Sequence, residues 1–240
     1  GESTRPGAPP VPQEEELARV VPLVREAVRF GVPISVDTFK PAVMQAVLDL
    51  GADIINDIRA LGQPGAVEVV SRHPSCGICL MHMHRDPLTM QVLPMQGDVV
   101  PSVRTFLSQA AVRATSAGVA HERIVLDPGI GFGKTVAQNF SLMARQAELL
   151  AEGFPLLVGW SRKSSLGAVT AAQGVAPGAA SRLAASVAAA VLAVDRGATI
   201  VRVHDVLETV QALAVWAAMR EQAALDSHVL IAKKDQGTLG

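Results

Sequence analysis

The sequence has no excess charge of either sign, few cysteines and no long apolar segment. Its 21 Lys and Arg balance 22 Asp and Glu to a formal net charge of −1, so charge gives no reason to expect a nucleic acid or an anionic membrane as partner. No apolar run reaches the roughly 20 residues that a membrane-spanning helix needs. No charged leader precedes an apolar stretch. We therefore expect a cytoplasmic protein that binds neither membrane nor nucleic acid.

The two cysteines, Cys76 and Cys79, have CxxC spacing. A zinc site needs about four ligands, and the sequence has no second cysteine pair. A thioredoxin-type motif opens a helix, whereas Cys79 lies inside an apolar run. The sequence therefore predicts two ordinary buried thiols in a reducing cytosol.

Apolar residues make up 49% of the chain, and many of them stand in short runs. Six runs rich in Ile, Val and Leu predict strands buried on both faces, as in a parallel sheet: 33–38, 53–58, 77–83, 123–127, 155–161 and 199–204. Helical stretches follow them. Helices are predicted from Pro12 to Gly31, from Lys40 to Leu50, over 101–116 and 181–196, and from Val206 to about Ala224.

Alternation of strands and helices predicts an α/β fold built from right-handed βαβ units. Each run ends in polar residues or is followed at once by them, which favours a barrel over a doubly wound sheet, because a barrel gathers all carboxyl strand ends on one face. The chain opens at Gly1 in a loop-like segment with no strand before it. We expect a (β/α)8 TIM-type barrel with about six of its eight strands present, over 1–225, followed by a tail over 226–240.

Three acceptor side chains stand at predicted strand ends: Asp37, Asn56 and Asp127. Together they match a ring that carries an amino group, a ring N–H and a carbonyl, because buried polar groups need partners that a ligand can supply. The competing interpretation is helix capping, since Asp and Asn are common where a strand turns into a helix.

Cationic side chains follow the last two runs. Ser161 and Lys163 stand in an SRK turn that suits an anionic or carbonyl-bearing ligand, although a solvated basic turn is the alternative. Arg202 and His204 are two residues apart on one strand, so they are predicted to face the same side and to donate to a phosphate.

Two loops and one histidine pair complete the candidates. GESTRPGA supplies Thr4 and Arg5, and the glycine-rich DPGIGFGK could offer Phe132 as a stacking face. His82 and His84 form an HxH pair, which suggests a rival chemistry of hydrolysis by metal-bound hydroxide. That chemistry would need the HxH pair on the first strand and an Asp that acts as general base on a late strand, and the sequence has neither feature.

These segments together resemble the dihydropteroate synthase family over roughly 1–214. They stand in the family's order: GESTRPGA, ISVDTFKP, ADIINDI, CLMHM with PLTMQ, RIVLDPGIGFGKTVAQN, PLLVGWSRKSSLG and GATIVRVHDV. The resemblance implies a homodimeric barrel enzyme that joins (7,8-dihydropterin-6-yl)methyl diphosphate to 4-aminobenzoate with the help of Mg²⁺. It also implies inhibition by sulfonamides.

The resemblance also implies roles for individual residues. Pterin contacts are expected from Asp37, Asn56, Asp127 and Lys163, with Met81 packing on the ring. Diphosphate contacts are expected from Arg202 and His204, and aminobenzoate contacts from Thr4, Arg5, Pro6, Phe132 and Ser161. The predicted catalytic residues are Asp37, Asp127, Lys163 and Arg202. The family's Mg²⁺-binding Asn would lie upstream of Gly1, so no metal ligand is predicted within this chain.

Two other functions stay open at this point. The chain could be a truncated pterin-binding protein without synthase turnover, and residues 1–240 alone are expected to be inactive and poorly stable, because an open barrel leaves two strand edges unpaired. It could also resemble the methyltetrahydrofolate-binding domains of methyltransferases. The SRK segment over 161–163 and the RVH segment over 202–204 argue against that interpretation, because that reaction has no diphosphate to hold.

Overall fold

The fold is that of a computed structural model, which describes residues 1–5, 7–90, 92–171 and 182–236, with side chains up to residue 225. Its strands are β1 (Ser35–Asp37), β2 (Ile54–Asp57), β3 (Gly77–Met81), β4 (Ile124–Asp127), β5 (Leu157–Val158) and β6 (Ile200–Val201). Its helices are α1 (Gln13–Ala27), α2 (Pro41–Asp49), α3 (Ala66–Arg72), α4 (Val99–Ser116), α5 (Val136–Ala144), α6 (Gln146–Leu150), α7 (Ser164–Ala171), α8 (Leu183–Asp195) and α9 (Val206–Gln236). Each predicted run contains one strand.

All strands are parallel and follow one another in chain order. Strands β1 to β4 form one ladder, and β5 pairs with β6. A bridge between Leu126 and Leu156 joins the two sets. Parallel neighbours with helices between them give the barrel arrangement that the sequence predicts. The described strands leave it open between β6 and β1.

The two faces of the strands differ in burial. Side chains that face the helices, such as Ile55, Leu80 and Leu126, are no more than 1% exposed. Side chains that face the interior of the open barrel line a space of about 590 Å³, and Ile200 among them is 39% exposed. The prediction that every strand is buried on both faces is therefore wrong for the inner face of the edge strand β6, whereas the inner-face side chains Cys79 and Met81 of the central β3 are buried.

Local signals explain most helix boundaries. Helix α1 begins after Pro12, carries three Glu in its first turn, and passes through a short 3-10 turn to Gly31 at φ 68°, a left-handed cap that glycine adopts without a Cβ clash. Asp98 caps α4 by accepting from the Val100 N–H at 3.1 Å, so this helix starts before the predicted Pro101.

The last helix is longer than the sequence predicts. It was expected to end near Ala224 but continues to Gln236, so the predicted division of the chain at residue 225 falls within a helix. The predicted start of α8 at Ser181 lies outside the described residues. No helix in the described part of the chain is long and apolar enough to cross a membrane.

Candidate active site

Strands β1 and β2 bring Asp37 and Asn56 together at their carboxyl ends. The two residues are register partners in the parallel ladder, and Asn56 Nδ2 donates to Asp37 Oδ1 at 2.8 Å. Asn56 Oδ1 is buried and has no hydrogen-bond partner among the described residues. Helix α2, which follows β1, has Lys40 at its N-cap and no side-chain cap. Asp37 therefore does not cap the helix that follows it, and the pair presents an unsatisfied edge to the barrel interior.

Asp127 ends β4 and is 6% exposed. Its Oδ1 accepts the Gly129 N–H at 2.7 Å. Burial raises the pKa of Asp127 to about 6, although the Gly129 hydrogen bond and the positive charge of Lys163 oppose the shift. A carboxylate held in this environment can stabilise positive charge on a neighbouring ligand.

Lys163 reaches the same region from the start of α7. Its Nζ lies 4.2 Å from the centre of the Phe132 ring, a cation–π contact. Burial lowers the pKa of Lys163 to about 8, while Asp127 opposes the shift. The other expected pterin contact, Met81, is buried and is the register partner of Asp127. The structure thus brings Asp127, Lys163, Phe132 and Met81 together.

Arg202 and His204 turn toward different neighbours. Strand β6 ends at Val201, so both residues lie just beyond it. Arg202 Nη2 forms an ion pair with Asp37 Oδ2, whereas the His204 ring lies 2.9 Å from Ser161 Oγ through its Nδ1. The prediction that both residues stand on the strand is wrong, because the strand ends before the pair begins. Both side chains nevertheless stay at the carboxyl ends of the strands.

An ion pair outside this cluster ties the β5 and β6 loops together. Arg162 Nη2 lies 2.5 Å from Asp205 Oδ1, and the Arg162 N–H donates to Ser186 Oγ of α8 at 2.9 Å. Burial and the charge of Arg162 lower the pKa of His204. In a neutral imidazole, Nδ1 either donates its N–H to Ser161 Oγ or accepts the Ser161 hydroxyl hydrogen, depending on the tautomer.

Lys134 lies beside the candidate site and is not among the residues predicted from the sequence. It is 3% exposed, and its Nζ donates to the carbonyls of Gly129 at 2.9 Å and Phe132 at 3.1 Å. Burial lowers the pKa of Lys134 to about 7. The amino group of Lys134 holds the main chain of the glycine-rich loop in a tight ring from Gly129 to Phe132. The signal was a lysine directly after a run of glycines and apolar residues.

The N-terminal loop lies beside the β1 end of the site. Thr4 lines a cavity of about 10 Å³ together with Asp37, Thr38 and Phe39. The Gly7 N–H donates to the Pro87 carbonyl at 2.9 Å. Arg5 contributes to the lowering of the pKa of His204, which places its charge near that ring. Pro6, also expected to line the site, lies outside the described residues.

The HxH pair does not form a joint metal site. The His82 ring packs edge-on against Phe106 of α4 at a centroid distance of 4.9 Å, and burial lowers its pKa to about 3. His84 instead stands near the glycine-rich loop, with its N–H 3.5 Å from the Phe132 carbonyl. Cys76 and Cys79 are buried free thiols, as predicted.

Comparison with known proteins matches this arrangement to one family. The profile of the family described as "Pterin binding enzyme" matches residues 1–204. Dihydropteroate synthase of Neisseria meningitidis serogroup B is 51% identical over 91% of this chain and 77% of its own length. Dihydropteroate synthase of Escherichia coli K12 is 50% identical over 90% and 74%. The chain belongs to the dihydropteroate synthase family of pterin-binding enzymes.

Solved structures of dihydropteroate synthases have the same fold. The Burkholderia cenocepacia enzyme complexed with 7,8-dihydropteroate is 52% identical with a TM-score of 0.85, over 94% of this chain and 81% of that one. The Yersinia pestis enzyme in a sulfonamide drug complex is 45% identical with a TM-score of 0.86, over 92% and 78%. These TIM-barrel enzymes confirm the predicted fold class, and the family makes this chain a transferase.

The side chains described here do not form a Mg²⁺ site by themselves. Mg²⁺ prefers oxygen ligands, and the described residues contain no group of three or more His, Cys, Asp or Glu side chains that could hold a metal ion. The region expected to take the diphosphate instead offers Arg202 and His204, which are hydrogen-bond donors. These side chains fit an anion and not a cation.

Proposed function

We propose that this site condenses (7,8-dihydropterin-6-yl)methyl diphosphate with 4-aminobenzoate, forming 7,8-dihydropteroate and pyrophosphate. The observation that carries the proposal is the buried, unpartnered Asn56 Oδ1 beside the Asp37 carboxylate. An acceptor edge of this kind fits the amino and ring N–H groups of a pterin. A solved relative from Burkholderia cenocepacia carries 7,8-dihydropteroate, which supports the same assignment.

The pterin would lie between an acceptor side and a donor side. Asp37, Asn56 and Asp127 supply the acceptors, and Lys163 supplies a donor for the pterin carbonyl. Met81, which is 3% exposed, supplies an apolar surface against the ring. This division of roles follows from the side-chain chemistry, because an ionised carboxylate only accepts and an ammonium only donates.

The reaction breaks the bond between the pterin methylene carbon and the diphosphate oxygen. Pyrophosphate leaves with the bonding electrons, and the positive charge that develops on the pterin methylene is stabilised by the carboxylates of Asp37 and Asp127. Arg202 and His204 donate to the departing diphosphate. The neutral aniline nitrogen then attacks the methylene carbon and loses a proton to solvent, so no covalent protein nucleophile is required.

The aminobenzoate would occupy the rim formed by the loops. Phe132 offers a ring face, Ser161 a hydroxyl, and Thr4 and Arg5 approach from the N-terminal loop; Pro6 belongs to the same expected set. A dihydropteroate synthase of Xanthomonas albilineans has been solved with 4-aminobenzoic acid, and the Yersinia pestis enzyme with a sulfonamide. We extend both ligand classes to this chain.

The direct test is an assay of the purified protein with both substrates. The proposed function predicts dihydropteroate and pyrophosphate in equal amounts, and inhibition by a sulfonamide that competes with 4-aminobenzoate; the absence of turnover expected from an open barrel is the opposite outcome of the same assay. Asn56→Ala should weaken binding of the pterin diphosphate. The matched control is Gln45→Ala, because the Gln45 amide bonds Asp49 on the exposed face of α2. Pterin binding without any dihydropteroate would favour a pterin-binding protein without turnover.

Mg²⁺, a homodimer and a cytoplasmic location complete the proposal. Mg²⁺ rests on the family resemblance alone, and its test is the dependence of turnover on added Mg²⁺ after chelation. A homodimer is supported by exposed apolar side chains on α9, including Val210 and Val215, and light scattering tests it. The cytoplasmic location is supported by the two unpaired thiols.

A further inference from the structure

A partly buried ion cluster joins the two ends of the N-terminal loop. Lys40 Nζ donates to Glu2 Oε2, to Glu16 Oε2 and to the Val11 carbonyl, each at 2.6 Å. Glu2 Oε2 also accepts the Val11 N–H at 3.2 Å. Glu2 and Val11 are the two ends of the loop that carries Thr4 and Arg5, so one ammonium joins both ends. We call Lys40, Glu2, Glu16 and the Val11 main chain the Lys40 cluster.

Two parts of the barrel anchor the Lys40 cluster: the connection from β1 to α2, and helix α1. Lys40 lies between β1 and α2, and its N–H donates to Thr38 Oγ1 at 3.2 Å. Glu16 lies in the first turn of α1 and is 1% exposed. Burial by itself lowers the pKa of Lys40, but the hydrogen bonds to Glu16 and Glu2 outweigh it and leave that pKa raised. The ammonium therefore stays charged and retains its ion pairs with Glu2 and Glu16.

The cluster and the candidate site share a boundary. Glu2, Glu16, Thr4 and Asp37 line the same cavity of about 10 Å³, which is about the space that one water molecule needs. Thr4 is two residues from Glu2, so a displacement of Glu2 must move Thr4. Apart from the cluster, a main-chain bond from the Gly7 N–H to the Pro87 carbonyl holds the far side of the loop.

We propose that Glu2 and Lys40 are positioning residues, which fix the N-terminal loop so that Thr4 and Arg5 approach the 4-aminobenzoate side of the site. The inference rests on the proposed function only for the identity of the ligand. Glu2 and Asp37 line the same small cavity, but among the described residues the Lys40 ammonium bonds only Glu2, Glu16 and Val11, and the Asp37 carboxylate bonds Asn56 and Arg202 instead. Loss of the cluster should therefore affect 4-aminobenzoate and leave the pterin diphosphate nearly unchanged.

The test uses Glu2→Ala in the purified protein, because this variant keeps the buried Lys40–Glu16 pair and so spares the fold. Glu15→Ala is the matched control: it removes a carboxylate that pairs with Arg19 on the solvent side of α1. Hydrogen exchange is measured on peptides covering residues 2–11. Steady-state kinetics give KM for 4-aminobenzoate and kcat, and calorimetry gives Kd for the pterin diphosphate without aminobenzoate.

Glu2→Ala is expected to speed exchange over residues 2–11 at least tenfold and to raise KM for 4-aminobenzoate at least fivefold. Its Kd for the pterin diphosphate should change less than twofold. Glu2→Gln keeps an acceptor for the Val11 N–H and should recover most of both effects, while Glu15→Ala should match the unmodified protein. Faster exchange with unchanged KM, or raised KM with unchanged exchange, would overturn the positioning role.

The two proposals fail in distinguishable ways. If the unmodified protein makes no dihydropteroate, the proposed function falls, and the exchange measurement still decides whether the Lys40 cluster holds the loop. If the unmodified protein turns over normally and Glu2→Ala matches it in exchange and in KM, only the positioning role falls.

Discussion

Arg202 and Asp37 form an ion pair although they stand 165 residues apart in the chain. Arg202 follows β6 and Asp37 ends β1, which are the two edge strands of the open barrel. The pair therefore spans the opening at the carboxyl face. It also joins the residue proposed for the diphosphate to a residue proposed for the pterin.

Arg202→Ala is expected to weaken binding of the pterin diphosphate. Loss of a hydrogen bond to a charged group costs about 1.5–3 kcal/mol, which corresponds to roughly a 10- to 150-fold rise in Kd. Calorimetry on the purified protein measures this. Combining Arg202→Ala with Asp37→Asn should cost less than the sum of the two single changes, because the residues contact each other.

The control for Arg202→Ala is Arg104→Ala. Arg104 pairs with Glu152 at 2.5 Å on the outside of the barrel, so its loss removes an ion pair without touching the site. Unchanged affinity in Arg202→Ala, or equal losses in both variants, would contradict the assignment of Arg202 to the diphosphate.

Lys163→Met should weaken pterin diphosphate binding by a factor similar to that expected for Arg202→Ala, because the ammonium is lost while an apolar chain remains over Phe132. The same change should raise the pKa of Asp127 further, since the charge of Lys163 holds that pKa down. Calorimetry at several pH values tests both effects. Wild-type affinity in Lys163→Met would remove this lysine from the site.

Turnover should decline as the pH is lowered through about 6. The pKa of Asp127 is raised to about 6 by burial, and only its ionised form stabilises positive charge on the pterin, so activity needs a pH above this value. Asp127→Asn should lower kcat/KM. It should also reduce the fall of kcat/KM at low pH, which we call the acid limb, except for the part that comes from protonation of the substrates. The measurement is kcat/KM from pH 5 to 8 in both proteins.

Asp57 provides the control for that pH dependence. Burial raises its pKa to about 6 as well, but its carboxylate accepts the N–H groups of Arg59 and Leu61 at 2.7 and 2.8 Å and so holds a turn. Asp57→Asn should keep the acid limb. If the acid limb disappeared in Asp57→Asn and remained in Asp127→Asn, the limb would have to be assigned to Asp57 and not to Asp127.

The sequence predicts the strands and the acceptor side chains well because their signals are local. A buried strand that ends in Asp37 or Asp127 is visible in a few consecutive residues. The strand ends at β5 and β6 were less visible, because the apolar pattern continues beyond the two residues that pair in each. This is why the predicted placement of Arg202 and His204 within the strand is wrong.

Contacts between distant segments left no local signal. Lys134 looks like an ordinary polar end to a glycine-rich run, and its role depends on carbonyls that the loop turns inward. Glu2, Glu16 and Lys40 lie in three separate segments, and only the fold places the two carboxylates on one ammonium. Patterns of apolar residues predict single helices and strands. Side-chain contacts between separate elements can be predicted only when the strand register and the paths of the loops are known.

Lys134→Met should destabilise the protein and make its stability respond differently to pH. The pKa of Lys134 falls to about 7 in the fold, whereas an unfolded lysine titrates near 10.4. Between these values the unfolded chain binds the extra proton, so this group makes the free energy of unfolding rise with pH. Urea unfolding from pH 7 to 9 should show a smaller rise in Lys134→Met. Equal slopes in the two proteins would contradict the buried position.

Gly129→Ala tests whether the glycine-rich loop must approach the β3 end closely. Gly129 has φ 67°, and a Cβ there would lie 1.9 Å from the His82 carbonyl oxygen. This oxygen belongs to the main chain at the end of β3, so it cannot move aside as a flexible side chain could. Gly97 has nearly the same φ of 68°, but a Cβ there would meet nothing within 4 Å. Gly97→Ala therefore measures the cost of the backbone conformation alone, about 1–2 kcal/mol.

Gly129→Ala should cost clearly more than Gly97→Ala in urea unfolding, because the loop must shift as well as strain. The shift would carry Phe132 and the Asp127–Gly129 hydrogen bond with it, so affinity for both substrates should fall in Gly129→Ala and stay within twofold in Gly97→Ala. Equal losses of stability and binding in the two variants would mean that conformation alone, and not the contact with His82, requires glycine at position 129.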